Sequence, residues 1–104
     1  MRTFEHPPVE AIELTTVLAA LGDPIRLGIV RVMSDGLEHV QADFDANVGQ
    51  STLSHHIRTL RTAGVLSSRP AGTRCFVSLR PEIEERFPGL LGAVLAAAGL
   101  QTSE

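Results

Sequence analysis

The apolar positions of the chain follow helical spacing near both ends and strand spacing between them. Over residues 9–21 the apolar side chains recur at helical spacing, and Gly22 ends this run, which predicts a first helix. Asp23 supplies an N-cap and Pro24 suits the first helical position, so a second helix begins there. That helix is apolar nearly all round and ends before Gly36, the expected C′ residue. We therefore expect it in the middle of the core.

The middle of the chain predicts a short helix, a turn and a longer helix with one polar face. The short helix spans residues 39–46, because its two large apolar side chains lie four positions apart. A turn at 47–49 follows, and Ser51 is a suitable N-cap for a helix over Thr52–Ala63, which Gly64 ends. The apolar side of this longer helix consists of Leu53, Ile57 and Leu60. The opposite side carries Ser51, Ser54, His55, Arg58, Arg61 and Thr62.

Two strand-like runs follow, Val65–Arg69 and Arg74–Arg80, and a loop at residues 70–73 joins them as a hairpin. Pro81 begins a last helical segment, which Pro88 kinks or restarts. A short helix, a tight turn and a helix with one polar face make a helix-turn-helix, and a basic hairpin directly after it is a wing. The predicted fold is therefore a single, mainly α domain with a β-hairpin wing, a winged helix-turn-helix.

Length and composition set the frame for this domain. A chain of 104 residues suffices for one domain over residues 9–98, with a flexible tail at 1–8 and a second tail at 99–104. No apolar run approaches the length of a membrane span, and no secretory signal opens the chain. Because the single cysteine, Cys75, cannot form an internal disulfide, the composition fits a reducing cytoplasm. We expect a cytoplasmic protein without a membrane partner.

The distribution of charge along the chain reverses the prediction that the net charge alone would give. The formal net charge is −3 and the isoelectric point is near 5.8, which disfavours a nucleic-acid partner. Residues 46–81, however, contain no Asp or Glu and five arginines: Arg58, Arg61, Arg69, Arg74 and Arg80. Arginine binds phosphate and guanine in a bidentate manner, so we expect this segment, which covers the helix-turn-helix and the wing, to attract DNA.

Three stretches of sequence occur in an order that is typical of one family: LAALGDPIRL at 18–27, QSTLSHHI at 50–57 and LRTAGV at 60–65. They resemble the arsenic-repressor type (ArsR/SmtB-like) of transcriptional regulators, over roughly residues 14–80. The resemblance implies a homodimer that binds operator DNA and usually represses transcription. It also implies a dimer interface between the first and last helices. The apolar candidates for this interface are Val9, Ile12, Val17, Leu90, Leu91, Val94 and Leu95.

The chain departs from the metal-sensing members of that family. Their cysteine box on the first helix of the helix-turn-helix aligns here with His39, Val40 and Gln41, so it contains no thiolate. No histidine follows Pro81, where other members place ligands, and the four histidines lack the spacing of a zinc site. We therefore expect no metal and no cofactor. The signal that releases DNA, a small molecule or a redox change, is not identified by the sequence.

The polar face of the longer helix and the tip of the hairpin carry the candidates for DNA contact. The N-terminus of that helix favours phosphate, and its short polar side chains reach base edges or backbone. Arg58 and Arg61 are the main candidates on the helix, and Arg69 and Arg74 flank the tip of the wing. The complete set is Gln50, Ser51, Thr52, Ser54, His55, Arg58, Arg61, Arg69, Thr73 and Arg74.

Three further residues have competing interpretations. Arg80, near the base of the hairpin, either contacts DNA or pairs with an acidic residue at position 82 or 84. His56 lies at the edge of the apolar face, where it either contacts a base or, as we expect, packs and hydrogen-bonds to the backbone. Cys75 would be a redox sensor if the neighbouring arginine favours its thiolate. Its strand alternation with Val77 instead favours a small, inert core residue.

These features favour a DNA-binding transcriptional repressor that binds a palindromic operator as a homodimer. The alternative is a winged-helix dimerisation or protein-interaction module without DNA binding, which would present an acidic or apolar face. An enzyme is disfavoured, because residues 46–81 contain no carboxylate that could orient the Ser51 and His55 pair. No phosphate-binding glycine loop or cofactor motif is present in the sequence either.

Overall fold

The computed structural model describes residues 4–44 and 47–100, which form five α-helices and one two-stranded antiparallel sheet. The helices are α1 (Leu14–Leu21), α2 (Pro24–Met33), α3 (Gln50–Ala63), α4 (Pro81–Arg86) and α5 (Leu90–Ala97). The strands are β1 (Leu66–Ala71) and β2 (Arg74–Leu79), and single turns of 3₁₀-helix lie at Val9–Ala11 and Gln41–Asp43. The predicted order of elements is therefore confirmed, with changes at several boundaries.

Helix α2 begins as the sequence predicts. Oδ2 of Asp23 accepts hydrogen bonds from the backbone N–H groups of Ile25 (2.9 Å) and Arg26 (3.0 Å), and Pro24 occupies the first helical position. The bond from the Arg26 N–H is the main reason that the pKa of Asp23 lies below its ordinary value. An ionised carboxylate at a helix N-terminus also interacts favourably with the helix dipole. This cap therefore fixes the start of α2.

The core lies between α1, α2 and α3, and the hairpin and the two C-terminal helices complete it. Helix α3 places Leu53, Ile57 and Leu60 in this core, as predicted from their spacing. The largest fully buried side chains are those of Ile12, Val17, Ile29, Val30, Met33, Leu60, Val65, Leu66, Ile83 and Leu95. Because one face of α3 is buried in this way, its opposite, polar face points to solvent.

The junction between α3 and β1 depends on a close approach at Gly64. This glycine ends α3 with a φ of 92°, and a Cβ built on it would lie 2.7 Å from Cδ1 of Ile12. Ile12 is 1% exposed, so it packs directly over the end of the helix. The prediction of one continuous helix from residue 9 is wrong, because the 3₁₀ turn Val9–Ala11 ends at an extended Ile12. The backbone of Glu13 is extended, which brings Ile12 into this space and delays α1 to Leu14.

The hairpin is tighter than the sequence predicts. β1 and β2 pair along their whole length, out to Ala71 opposite Arg74. Only Gly72 and Thr73 remain for the loop, so the predicted four-residue loop is wrong by two residues that pair within the sheet. Such a short loop holds Arg74, the next residue, at the extreme tip of the wing.

The segment before α3 is extended at its start rather than helical. His39 exchanges two backbone hydrogen bonds, of 2.7 and 2.8 Å, with Val77 of β2. Because these bonds hold the backbone in a bridge to the sheet, the short helix predicted over 39–46 is reduced to the 3₁₀ turn Gln41–Asp43. Residues 45 and 46 of that prediction lie outside the described residues. The bridge connects the start of the helix-turn-helix directly to the wing.

Two helix boundaries differ from the prediction by a few residues. Helix α3 begins at Gln50 with Gly49 as its N-cap, so Ser51 lies in the first turn and is not the cap. The last helical segment restarts after Pro88, one of the two predicted outcomes, and Gly89 with a φ of 79° precedes α5. Neither change alters which side chains face outward on α3.

Candidate nucleic-acid interface

The outer face of α3 presents a continuous set of polar side chains. The exposed members are Gln50, Ser51, Thr52, Ser54, His55 and Arg58. The Gln41 amide nitrogen donates hydrogen bonds to the backbone oxygen of Gln50 and to Oγ of Ser54, both at 3.0 Å. The 3₁₀ turn is thereby attached to the first turns of α3. None of the six exposed side chains is acidic, so the face offers hydrogen-bonding groups and positive charge.

Arg61, predicted on the same face, is half-buried and has partners within the chain. Its guanidinium carbon lies 4.8 Å from the ring centroid of Phe4, and Nη1 donates to Oγ of Ser68 at 3.3 Å. Nε of Arg61 is buried and finds no acceptor among the described residues. Burial, together with the charge of nearby Arg58, lowers the pKa of Arg61 from its ordinary value. Arg61 is therefore less available to DNA than Arg58.

The two arginines that flank the tip of the wing differ in the same way. Arg74 and Thr73 are exposed at the tip. Arg69 instead forms a bidentate pair with Glu38, with N–O distances of 2.8 and 2.9 Å, and lies 5.0 Å from the ring centroid of Phe76. The bond from Arg69 lowers the pKa of Glu38, and the same bond raises that of Arg69. Within residues 4–44 and 47–100, Arg74 at the tip of the wing forms no such pair.

The N-terminal segment, predicted as a flexible tail over 1–8, packs against the wing over residues 4–8. Nε2 of His6 accepts a hydrogen bond from the backbone N–H of Ser68 at 3.0 Å. The backbone oxygen of Pro7 accepts a hydrogen bond of 2.5 Å from Arg80, whose Nε also pairs with Glu82 at 3.3 Å. Of the two interpretations of Arg80, the structure thus supports pairing. The contacts of His6 and Pro7 were not predicted from the sequence, because they join residues that are more than 60 positions apart. Residues 1–3 lie outside the described residues.

His39 bridges two carboxylates across the start of the helix-turn-helix. Its Nε2 lies 2.9 Å from Asp35, and its Nδ1 lies 3.2 Å from Asp43. Burial of the ring opposes its protonation, but the two carboxylates outweigh this effect and raise the pKa of His39. Asp35 and Asp43 approach opposite nitrogens of the ring, so the three residues do not converge on one point. Within 4–44 and 47–100 no group of three or more His, Cys, Asp or Glu residues could hold a metal ion.

His56 lies between α3 and the start of α2. Nη1 of Arg26 is 3.1 Å from Nδ1 of His56, which must be the acceptor because a guanidinium only donates. Oδ2 of Asp23 lies 4.0 Å from the same nitrogen. His56 is packed, as predicted, but its partner is this side chain rather than the backbone. It therefore contributes to the position of α3 and not to its exposed face.

The residues predicted for a dimer interface divide into two groups. Ile12, Val17, Leu91 and Leu95 are buried in the protomer's own core, so they leave almost no surface for a partner. Val9, Leu90 and Val94 are partly buried and keep some surface. Leu14 and Leu18 are 44% and 43% exposed on α1 and were missed. Their spacing of four residues on a predicted helix was a usable signal, because such residues share one face.

Cys75 is half-buried in β2, and its Sγ lies 3.9 Å from the backbone oxygen of Phe76. It lines a cleft between α3 and β2 together with Arg61. At the other end of the chain, Leu100 of the predicted tail packs against the core, and residues 101–104 lie outside the described residues. No helix in the described part of the chain is long and apolar enough to cross a membrane.

A helix whose polar face is exposed, preceded by a turn and followed by a two-stranded hairpin, defines a winged helix-turn-helix domain. Comparison with known proteins agrees with this class, although no family model matches the chain. The chain is 35% identical over 77 residues to the arsenical resistance operon repressor of Staphylococcus xylosus, covering 67% of this chain and 68% of that protein. It is 33% identical over 79 residues to an uncharacterised helix-turn-helix transcriptional regulator, YceK, of Bacillus subtilis, covering 72% of this chain and 79% of that protein.

The fold itself is shared with a solved structure from Mycobacterium bovis. That structure is a homodimeric winged helix-turn-helix DNA-binding domain of a possible ArsR-family regulator. It matches with a TM-score of 0.66 at 24% identity, covering 83% of this chain and 78% of that chain. The chain therefore belongs to the ArsR family of winged helix-turn-helix transcriptional regulators, to which the arsenical resistance repressor also belongs.

Proposed function

We propose that this protein binds double-stranded DNA as a homodimer and represses transcription by occupying a promoter. In this proposal α3 enters the major groove, and the tip of the wing contacts the backbone or the minor groove beside it. Two copies of α3 would contact successive major grooves of a roughly palindromic site, about one helical turn apart. The protein would act in the cytoplasm and have no catalytic role.

The observation that carries this proposal is the exposed, acid-free face of α3. Arg58 is fully available there, and Ser51 and Ser54 offer short hydrogen-bonding groups near the helix N-terminus. Arg74 adds a cation at the tip of the wing. Arg61 and Arg69 would join these contacts only by giving up Phe4 and Ser68 in one case, and Glu38 in the other. We therefore assign the primary roles to Arg58 and Arg74.

The homodimer is supported by an exposed apolar pair on α1. Leu14 and Leu18 lie one turn apart and are each more than two-fifths exposed, so together they form a contiguous apolar patch that a partner could cover. Part-buried Leu90 and Val94 of α5 offer further apolar surface. Leu18→Glu should therefore convert a dimer into a monomer in light scattering coupled to size-exclusion chromatography. Leu37→Glu, at a position 63% exposed outside α1 and α5, is the matched control and should remain dimeric.

DNA binding is tested by fluorescence anisotropy with two duplexes, one from the region upstream of the protein's own coding sequence and one random. Arg58→Ala should cost about 1–3 kcal/mol with the upstream duplex if Arg58 contacts a base. Arg31→Ala removes the same charge from α2, away from α3 and the wing, and should bind like the wild type.

Two results would contradict the proposal in different ways. An equal loss of affinity in the Arg58 and Arg31 variants would show that DNA does not bind through α3. Absence of salt-sensitive binding to either duplex would favour the alternative, a winged-helix module for dimerisation or protein interaction. In that case the ability of the Leu18→Glu variant to dimerise would still report on the interface.

A further inference from the structure

A cleft lined by both polar and apolar side chains lies between α3 and β2, and Phe4 also lines it. Its volume is about 260 Å³. Arg58 and Arg61 line it from α3, together with Ser54, and Cys75 lines it from β2. None of the lining residues is acidic. The cleft therefore combines two guanidinium groups and a hydroxyl group with no carboxylate to neutralise them.

The strongest sign of a missing partner is Nε of Arg61. This donor is buried and has no acceptor among the described residues, although Nη1 of the same side chain reaches Ser68. A buried donor on a charged group is costly when it is left without an acceptor. An acceptor that entered the cleft would remove this cost. Phe4, Ile57 and Val77 add apolar walls beside this donor, which lowers the local polarity and would strengthen such a contact.

The charges in the cleft also favour the binding of an anion. Arg58 and Arg61 are three residues apart on α3 and so lie on neighbouring positions of the helix surface, where like charges repel. Burial lowers the pKa of Arg61, and the charge of Arg58 acts in the same direction. Oγ of Ser54 accepts a hydrogen bond from Gln41, so its own hydroxyl proton is left to donate. The cleft therefore offers donors from both guanidinium groups and from the Ser54 hydroxyl, a set that suits a negative ligand.

We propose that this cleft binds a small free oxyanion of the phosphate class, held by Arg58, Arg61 and Ser54. The volume of about 260 Å³ has room for roughly eight water molecules and falls just below the range of pockets for drug-sized molecules, which suits an ion. Guanidinium groups bind such oxygens through paired, charge-assisted hydrogen bonds. Anion binding does not require DNA binding. Competition between the oxyanion and DNA, however, rests on the proposed function, because the cleft shares Arg58 with the proposed DNA face.

The test follows the Nε–H resonance of Arg61 by nitrogen-15 NMR while inorganic phosphate is added to the full chain. Potassium chloride at the same ionic strength is the reference titration. We expect a saturable shift with phosphate, half-complete on the order of 1–10 mM, and only a small linear drift with chloride. Arg61→Gln, monitored at Nε of Arg58, should weaken phosphate binding about tenfold or more. Arg31→Gln, which removes a charge outside the cleft, should leave phosphate binding unchanged.

Further arms protect the test against misfolding and separate the two sources of phosphate. Ser54→Ala keeps both arginines and changes only an exposed position of α3, so it should fold even if Arg61→Gln does not. It should also weaken phosphate binding. A response to phosphate no different from that to chloride would overturn the inference. The same holds if only duplex DNA shifts the Arg61 resonance, since the ligand would then be the DNA backbone, and the proposed function would stand. Saturable phosphate binding without any duplex binding would support the cleft and contradict the proposed function.

Discussion

Binding of the proposed dimer to duplex DNA should depend on salt less steeply than the number of arginines suggests. Each phosphate neutralised by a cation contributes about −0.9 to the slope of log affinity against log salt concentration. Residues 46–81 contain five arginines, so a dimer in which all of them contacted phosphate would show a slope of roughly −9. Two of the five, Arg69 and Arg80, form ion pairs within the protomer, and Arg61 is half-buried with a hydrogen bond to Ser68.

The arginines of this segment that are both exposed and outside the described ion pairs are Arg58 and Arg74. A dimer then presents two copies of each, and the expected slope is about −3.6. Neutral donors on α3 add affinity without adding to the slope, because they release no counterion.

Anisotropy titrations between about 50 and 200 mM monovalent salt measure this slope. Arg74→Gln should reduce its magnitude by about 1.8 per dimer, whereas Arg69→Gln should leave it unchanged. A wild-type slope near −9 would refute the assignment of the three partnered arginines. Equal changes in the Arg74 and Arg69 variants would refute the distinction between the two sides of the wing tip.

Three further predictions concern stability. Gly64→Ala should lower the free energy of unfolding in urea by roughly 2–5 kcal/mol, because the strain of a positive φ adds to a clash with Ile12. Gly36 also has a positive φ, but no atom lies within 4 Å of an added Cβ. Gly36→Ala should therefore lower it by only about 1–2 kcal/mol. Equal losses would contradict the clash. Asp23→Ala should cost about 1 kcal/mol through loss of the α2 cap, and an unchanged denaturation midpoint would contradict that role. The raised pKa of His39 means that its stabilisation is complete below the ordinary value of 6.5 and is lost as pH rises through the higher folded value. The lowered pKa of Asp35 means that the stabilisation contributed by its carboxylate is present above pH 3.8 and is lost as pH falls through the lower folded value. The stability difference between wild type and His39→Gln should therefore shrink above pH 6.5, and a difference independent of pH would contradict the bridge.

The sequence predicted those parts of the fold that local physics determines. An aspartate before a proline fixed the start of α2, a glycine fixed the end of α3, and the spacing of three apolar side chains fixed the buried face of α3. The errors fall where a tertiary contact overrides a local pattern. Packing of Ile12 against Gly64 shortens the first helix, and the backbone bridge between His39 and Val77 prevents the short one.

The elements that carry the candidate arginines were predictable from the sequence, but the partners of these side chains were not. Periodicity showed correctly that arginines would lie on α3 and on the hairpin. The partner of Arg69 is 31 residues away in sequence, and the bond between His6 and Ser68 spans 62 residues, so no rule of local spacing could connect them. Leu14 and Leu18 are a different case, since their spacing was visible and only their exposure was not.

The acidic flanks of the chain determine which cations of the basic segment remain available. Glu38 and Glu82 both lie outside residues 46–81, and each neutralises an arginine inside that segment. The charge of a sequence segment therefore overestimates the cationic field of the folded surface. Weaker electrostatic attraction lowers non-specific DNA binding, which depends almost wholly on phosphate contacts. In the proposed complex, a larger share of the affinity would then come from contacts between α3 and base edges. The same ion pairs that reduce total affinity should thus raise the ratio of operator binding to random binding.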